Sequence, residues 1–237
     1  MIELRPFPTL GHADHGWLDA RHHFSFGNYY DPARMGWGAI RVWNDDTIAA
    51  RSGFPPHPHS DMEIVTYVRA GAISHRDSLG NEGRTPAGEI QVMSAGRGIT
   101  HAEFNLEDEE TRLFQIWIEP RDAGGDARWE ARPVPAGSKN GRWTVLASGY
   151  ADDQANGALP IGSDARIASL SLAAGAQADW QLPAGHSAYL VATTGQIAVG
   201  TITAGPRDGI AISDEETISI TASEATELVL VETARPG

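Results

Sequence analysis

Short strand-like segments between turn residues constrain the fold of this chain more than any other sequence feature. The 237 residues include 26 glycines and 14 prolines, and both residue types favour turns. Apolar and polar residues alternate most clearly in RIASLSL (166–172) and TISIT (217–221), and no long amphipathic helix is evident. This pattern predicts an all-β chain of antiparallel sandwiches or barrels. The predicted strands are 40–43, 63–68, 89–93, 113–118, 166–172, 187–192, 217–221 and 227–232.

A loose internal repeat indicates two β domains of the same kind. VRAGAISHRDSLGNEGRTPAGEIQVMSAG (68–96) is similar to VATTGQIAVGTITAGPRDGIAISDEE (191–216), and both contain a Gly-x-Ile start, at Gly71 and Gly195. A period of about 120 residues indicates a domain duplication, because solenoid repeats are much shorter.

The most turn-rich stretch, residues 122–153, is the predicted linker between these domains. We therefore expect an N-terminal domain at residues 1–135 and a C-terminal domain at residues 136–237.

The composition excludes several classes of function. The chain has no cysteine, which excludes disulfides, thiolate nucleophiles, thiolate zinc sites and iron–sulfur clusters. A bound metal must therefore take imidazole, carboxylate or water ligands. With 31 acidic against 18 basic residues, a formal charge of −13 and a single lysine, Lys139, we expect no direct binding to nucleic acid or anionic membranes. No apolar run reaches the roughly 18 residues of a membrane span, and no signal-peptide pattern is evident, so we expect a cytoplasmic protein.

The segment GFPPHPHSDME (53–63) carries the most informative histidine pair, His57 and His59. In a strand, residues two apart point to the same face with Cα atoms about 6.6 Å apart. The prolines of this segment exclude a helix and suit an edge strand. The pair can therefore direct two imidazoles at one ion.

A second pair with the same spacing, His101 and Glu103, follows two further predicted strands. Eight of the nine histidines lie in the first 101 residues, so we expect any histidine chemistry in the first half. Three imidazoles and a carboxylate facing one interior suit Fe(II), Ni(II), Mn(II), Cu(II) or Zn(II), and leave positions for water, dioxygen or a substrate oxygen. The spacing is also compatible with hydrogen-bonded polar residues in a β core.

Several motifs resemble the pirin family of bicupins, and in particular the bacterial pirins described as quercetin 2,3-dioxygenases. The motifs are HHFSFGNYYDP (22–32), RVWNDD (41–46), HPHSDMEIVTYV (57–68), HRDSLGN (75–81), MSAGRGITHAEF (93–104) and LFQIWI (113–118). The resemblance implies two stacked antiparallel β-barrels of the cupin (jelly-roll) type, with one divalent metal in the N-terminal barrel. It assigns the metal ligands to His57, His59, His101 and Glu103. Fe(II) is the expected metal, and Zn, Ni, Mn, Co and Cu also suit the ligand set.

Two glutamates compete for the role of carboxylate ligand. In cupins at large the glutamate that matches Glu63 is a ligand, whereas in pirins the carboxylate after the third histidine takes that role. Glu63 lies four residues beyond His59, which gives it the same strand parity. We predict Glu103 as the ligand and expect Glu63 to orient an imidazole.

The second half lacks most of this ligand set, so we expect a metal-free, structural C-terminal domain. The repeat alignment pairs Gln181 with His57, Pro183 with His59, Ser187 with Glu63, Ala222 with His101 and Glu224 with Glu103.

The resemblance implies a metal-dependent dioxygenase that cleaves a flavonol such as quercetin with O2 to a depside and carbon monoxide. In that reaction Glu103 or Glu63 would accept the proton of the flavonol 3-hydroxyl. A second possibility is a non-catalytic metalloprotein whose redox state controls binding of protein partners. The acidic run 107–110 is either such a partner surface or a solvated loop. A third possibility is a zinc-dependent isomerase or hydrolase.

The remaining histidines and aromatic residues give weaker predictions. His75 begins HRDSLGN, whose composition is typical of a turn, so it is predicted to be a turn or surface residue. The rings that follow His22 and His23 either line a flavonoid-sized pocket or belong to the core. Trp117 is predicted to be a core residue. The rings in question are Phe24, Phe26, Tyr29 and Tyr30.

Overall fold

Nearly all of the regular secondary structure is β-strand in the computed structural model, which describes residues 1–135 and 141–234. The helices of these ranges are a 3-10 turn, η1 (Phe7–Thr9), and a short α-helix, α1 (Ala151–Ala155). Among the described residues, no helix has the length and apolar character needed to span a membrane. All eight predicted segments lie within observed strands, so the all-β prediction is confirmed.

The strands of the first half form two antiparallel sheets, apart from β1. The strands are β1 (Ile2–Arg5), β2 (Gly11–Asp14), β3 (Leu18–His22), β4 (Ile40–Ile48), β5 (Ser52–His59), β6 (Glu63–Ala70), β7 (Ala72–Asp77), β8 (Glu82–Pro86), β9 (Glu89–Ser94), β10 (Ile99–Asn105), β11 (Thr111–Ile118) and β12 (Arg128–Pro133). The larger sheet has the order β12-β9-β6-β11-β4-β3-β2, and the smaller sheet has the order β5-β10-β7-β8.

The second half repeats this arrangement. Its strands are β13 (Thr144–Ser148), β14 (Leu159–Pro160), β15 (Ala165–Leu172), β16 (Gln177–Gln181), β17 (His186–Ala192), β18 (Ile197–Val199), β19 (Ile202–Ala204), β20 (Gly209–Ser213), β21 (Thr217–Ala222) and β22 (Thr226–Ala234). The larger sheet has the order β1-β20-β17-β22-β15-β13-β14, and the smaller has the order β16-β21-β18-β19. Each half is thus a pair of open sheets with matching strand order.

The two glycines of the repeat occupy equivalent places in this duplicated framework. Gly71 (φ 71°) precedes β7, and Gly195 (φ 68°) precedes the β18 segment. A Cβ atom on Gly71 would lie 2.6 Å from Thr111 Oγ1, and one on Gly195 would lie 3.2 Å from Thr226 Cβ. At both positions the backbone is left-handed and lies close to the first residue of a long strand, β11 for Gly71 and β22 for Gly195. Only glycine accommodates this combination without strain.

The main hydrophobic core lies between the two seven-stranded sheets. Successive residues of a strand face opposite sides of a sheet, and β6 illustrates the consequence. Val65 and Tyr67 pack against residues of the second half, whereas Ile64 and Val68 pack inside the first half. This central layer joins the halves into one stack of four sheets.

Two features of the structure differ from the simple domain division predicted from the sequence. Strand β1 pairs with β20 and therefore completes the larger sheet of the second half. The predicted linker contains β12, which pairs with β9 of the first half, as well as β13 and the start of α1. Residues 136–140 of that linker lie outside the described ranges, and the division at residue 135 stays a prediction.

We predict that Phe114→Ala destabilises the protein by about 3–5 kcal/mol, because the ring is fully buried in the central core and its loss leaves a cavity. Urea unfolding monitored by tryptophan fluorescence measures the effect. Tyr30→Ala, at a side chain that is 72% exposed, is the control and should leave the unfolding midpoint unchanged. A similar midpoint for both variants would contradict this view of the core.

Candidate metal centre

Strand β5 presents the first two imidazoles at the edge of the four-stranded sheet. Its position at the edge agrees with the prediction from its prolines. The ladder with β10 contains a bulge at Pro55 and Pro56, after which His57 lies opposite His101. The Nδ1 atom of His57 donates a hydrogen bond to the carbonyl oxygen of Pro55 at 2.8 Å. This bond leaves the lone pair of His57 on Nε2.

The ladder between β5 and β10 brings the three histidines together. The ring centroid of His57 lies 4.8 Å from that of His59 and 4.5 Å from that of His101, and the last two centroids are 4.9 Å apart. One nitrogen from each ring lies within 4.8 Å of the others. This spacing allows all three imidazoles to bind one ion.

The environment of the imidazoles fits metal ligation. The Nε2 atoms of His59 and His101 are buried and have no hydrogen-bond partner, which is costly for a polar atom unless a ligand engages it. Burial, with smaller contributions from the neighbouring histidines, lowers the pKa of His59 to about 4 and that of His101 to about 3. Both rings are therefore neutral near pH 7 and offer lone pairs, the form that metals bind.

Glu103 lies on the same face of β10 as His101 and is held by two amides. Gln91 Nε2 donates to its Oε1 at 2.5 Å, and Gln115 Nε2 donates to its Oε2 at 2.7 Å. Burial raises the pKa of Glu103 to about 7, against the opposing effect of these amides. The arrangement orients a carboxylate beside the imidazoles and supports its charge when a cation is near.

A cavity of about 720 Å³ opens beside the imidazoles, within the usual size of small-molecule sites. His57, His59 and Glu103 all line it. Aromatic rings form much of its wall, and polar side chains of β3, β4 and β11 form its floor. The rings belong to Trp17, Phe26, Tyr29, Phe54 and Trp117, and the polar side chains belong to His22, Asn44, Asp46 and Gln115.

Comparisons with known proteins identify the family. The family model described as Pirin matches residues 4–118, and the model described as Quercetinase C-terminal cupin domain matches residues 145–233. The crystal structure of the bacterial pirin YhhW from Escherichia coli in complex with nickel(II) matches all of both chains, with 41% identity and a TM-score of 0.93. The chain belongs to the pirin family. It has the bicupin fold predicted above, with each half built from two open sheets.

Two pirin-family relatives match nearly the whole chain. A Pseudomonas aeruginosa protein, provisionally named a quercetin 2,3-dioxygenase, is 59% identical over 234 residues, which cover 99% of this chain and 100% of the relative. An Escherichia coli K12 protein named quercetin 2,3-dioxygenase is 43% identical and covers 97% of both chains.

The second half of this pirin carries apolar residues where the first half carries its candidate ligands. The matching ladders β5–β10 and β16–β21 define the correspondence. It differs from the sequence alignment given above by one residue for the counterparts of His57 and His59 and by four residues for those of His101 and Glu103, because the loops of the two halves differ in length. All four counterparts belong to the core of the second half. The counterparts are Trp180 for His57, Leu182 for His59, Ile218 for His101 and Ile220 for Glu103.

Glu63 does not lie with the imidazoles. The chain passes from the smaller sheet to the larger one between β5 and β6, so strand parity does not carry from His59 to Glu63. Its Oε2 accepts a hydrogen bond from Ser94 Oγ at 2.6 Å, and its other oxygen lies close to Gly162 of the second half. Glu63 therefore faces the contact between the halves.

His75 and Trp117 differ from their sequence predictions. His75 is 2% exposed and contacts His101, because it lies inside β7 and the turn begins only after Asp77. Trp117 is partly buried and lines the cavity, with its ring edge-to-face to His59 at 5.0 Å. The sequence signal for the buried position of His75 is its i, i+2 spacing with Asp77, which places both side chains on one face of a strand.

The aromatic residues between positions 24 and 30 take both of the predicted roles, since some belong to the core and others line the cavity. Phe24 belongs to the central core, Phe26 and Tyr29 line the cavity, and Tyr30 is exposed. His22 lines the cavity and shares a 2.8 Å hydrogen bond with Asn44, features that the sequence did not reveal.

Asp46, in the RVWNDD motif, is a further residue that the sequence analysis missed. Its carboxyl group is buried on the cavity floor, and Oδ1 has no hydrogen-bond partner. Burial, followed by the charges of Asp45 and Glu103, raises its pKa well above the usual value. The sequence signal for Asp46 is its place beside Asp45, as two consecutive acidic residues in a strand that begins and ends with apolar residues.

The acidic run 107–110 is largely neutralised by arginines. Its ion pairs join Glu107 with Arg84, Asp108 with Arg51 and Glu110 with Arg112. Binding of protein partners at this run stays a prediction.

We predict that the purified protein contains about one equivalent of a divalent metal and that His101→Ala and Glu103→Gln each reduce this content at least tenfold, because each removes a donor from a small ligand set. Elemental analysis after dialysis measures the content. Glu63→Gln should retain the metal, since Glu63 faces away from the imidazoles. Loss of metal in Glu63→Gln together with retention in Glu103→Gln would contradict the assignment.

Proposed function

We propose that this protein is a metal-dependent dioxygenase that cleaves a flavonol of the quercetin type to a depside and carbon monoxide. The observation that carries the proposal is the convergence of the imidazoles of His57, His59 and His101 beside an aromatic-lined cavity. The buried carboxylate of Glu103 lies close to His101 and lines the same cavity. The metal would be held by His57, His59, His101 and Glu103. The activity for which the two relatives are named supports the same reaction class.

The overall reaction balances without a further reductant. Dioxygen adds to the central ring of the flavonol, two carbon–carbon bonds break, and one ring carbon leaves as carbon monoxide. Both atoms of dioxygen remain in the products. When bound, a divalent metal supplies Lewis acidity that favours ionisation of the flavonol 3-hydroxyl, together with a redox-active centre for dioxygen.

The chain's own residues bind the substrate and receive its proton. Trp117 and Phe26, whose rings meet edge-to-face at 5.4 Å, form an apolar wall for a planar aromatic molecule. Glu103 is the carboxylate beside the imidazoles, and one of its oxygens accepts the proton of the 3-hydroxyl. Gln91 and Gln115 hold this carboxylate in place through their amide groups, which limits the reorganisation needed during proton transfer.

The test is turnover of quercetin by protein loaded separately with Fe(II), Ni(II), Mn(II), Co(II) and Cu(II). We expect at least one metal to support loss of the flavonol absorbance in air, with release of carbon monoxide and no reaction under nitrogen. Absence of turnover with all five metals in air would refute the proposal. Turnover under nitrogen would instead support the isomerase or hydrolase alternative.

We predict that Trp117→Leu raises KM for quercetin about 3- to 10-fold, since an aromatic contact contributes about 0.5–1.5 kcal/mol beyond its buried area. Steady-state kinetics of the loaded variant measure this effect, and elemental analysis confirms that the metal is retained. Tyr30→Ala, outside the cavity, should keep the wild-type KM. An unchanged KM in Trp117→Leu would exclude this wall as the binding surface.

A further inference from the structure

A chain of three buried side chains connects His101 to a carboxylate behind it. His101 Nδ1 lies 3.4 Å from His75 Nδ1, and His75 Nε2 lies 3.0 Å from Asp77 Oδ2. The exposed fractions of His101, His75 and Asp77 are 3%, 2% and 9%. The strands β10 and β7 pair directly here, with His101 opposite Asp77. The contact is therefore part of the sheet and does not depend on a mobile loop.

The hydrogen bonds of Asp77, at the far end of this series of side chains, have a fixed direction. Its Oδ1 accepts hydrogen bonds from the backbone N–H groups of Leu79 and Asn81 at 2.9 and 3.0 Å, and its Oδ2 accepts one from Asn81 Nδ2 at 2.9 Å. A carboxylate that receives this many donors is ionised and acts only as an acceptor. The nitrogen that faces it, His75 Nε2, must therefore carry a hydrogen.

The direction of these hydrogen bonds determines which nitrogen of His101 carries its hydrogen. With its hydrogen on Nε2, a neutral His75 offers a lone pair on Nδ1, and His101 must donate to it from its own Nδ1. His101 then carries its lone pair on Nε2, which is the buried atom without a hydrogen-bond partner. The opposite direction would place an N–H on that Nε2, among the other imidazoles.

The plane of His75 is fixed by a tryptophan. The rings of His75 and Trp129 are stacked, with centroids 4.8 Å apart and planes 8° apart. Trp129 fits there because Gly83 has no side chain, since a Cβ atom on Gly83 would lie 2.2 Å from the tryptophan ring. The stack holds His75 in the orientation that joins Asp77 to His101.

His75 could alternatively be a ligand itself, because His75, His101 and Glu103 form a second group with suitable distances. Both nitrogens of His75, however, are already engaged, one by Asp77 and one by His101. Within the two candidate ligand groups, the buried Nε2 atoms without a hydrogen-bond partner belong to His59 and His101. The ligand role therefore fits those two residues and not His75.

We propose that His75 and Asp77 are positioning residues that hold His101 in the tautomer with a free Nε2 lone pair and increase its donor strength toward a bound metal. The inference rests on the metal site of the proposed function and goes beyond it by adding two residues that do not contact the metal. Hydrogen bonding from a ligating histidine to an acceptor typically changes metal affinity 10–100-fold.

The experiment is a Co(II) titration of the metal-free protein, followed by visible absorbance in competition with a chelator. In Asp77→Asn the new amide can donate to His75, which would reverse the direction of both hydrogen bonds in the series. We therefore expect Co(II) affinity to fall at least tenfold, with altered absorption bands. His75→Leu should show a similar loss. His75→Gln should recover part of the affinity, because its amide oxygen can accept the hydrogen of His101 Nδ1.

Arg76→Gln is the matched control, since Arg76 lies between the two residues but its side chain is exposed and pairs with Glu82. It should bind Co(II) like the wild type. Circular dichroism identifies variants that fail to fold, and if His75→Leu does, Asp77→Asn and His75→Gln carry the test. Wild-type affinity and absorption bands in folded Asp77→Asn and in the folded His75 variants would overturn the inference alone. Failure of the wild type to bind Co(II) would overturn the metal site and the inference together.

Discussion

The register between β5 and β10 is the constraint on which the candidate metal centre depends. It places His57 opposite His101. The pair formed by His57 and His59 and the pair that begins at His101 therefore face the same interior. A slip of one residue would direct these side chains to the opposite face. The bulge at Pro55 and Pro56 also has a chemical consequence, because it presents the Pro55 carbonyl to Nδ1 of His57. Backbone irregularity at this edge thus selects the nitrogen that faces the cavity.

The two halves show how one framework can be filled in two ways. The second half has Trp180, Ile218 and Ile220 in its interior, and these side chains gain stability from burial. The first half instead buries groups such as Glu103 and Asp77, each of which needs several hydrogen bonds to offset desolvation. The two halves share the apolar layer between their larger sheets, and in the second half apolar side chains fill the positions that match the candidate ligands.

The fold and the two same-face pairs of candidate ligands were predictable from the sequence because both follow local periodicity. Strand segments and the i, i+2 pairs are properties of a continuous strand, and the strand predictions are confirmed. The role expected for Glu63 failed because the chain changes sheets before that residue, and parity has no meaning across such a crossing. The prediction of a turn or surface position for His75 is wrong because β7 continues to Asp77 and the turn begins only after it. The cavity floor, with Asp46 and Gln115, depends on the pairing of distant strands, which no local pattern specifies.

The first strand has a consequence for how the chain reaches its native state. Residues Ile2–Arg5 pair with Gly209–Ile212, so during synthesis this strand waits for a partner that lies late in the second half. Contacts of such long sequence separation form slowly, because a large loop must close first. During synthesis this strand stays an unpaired edge, and an extension fused to the N-terminus would emerge beside the sheet of the second half, not beside the histidines.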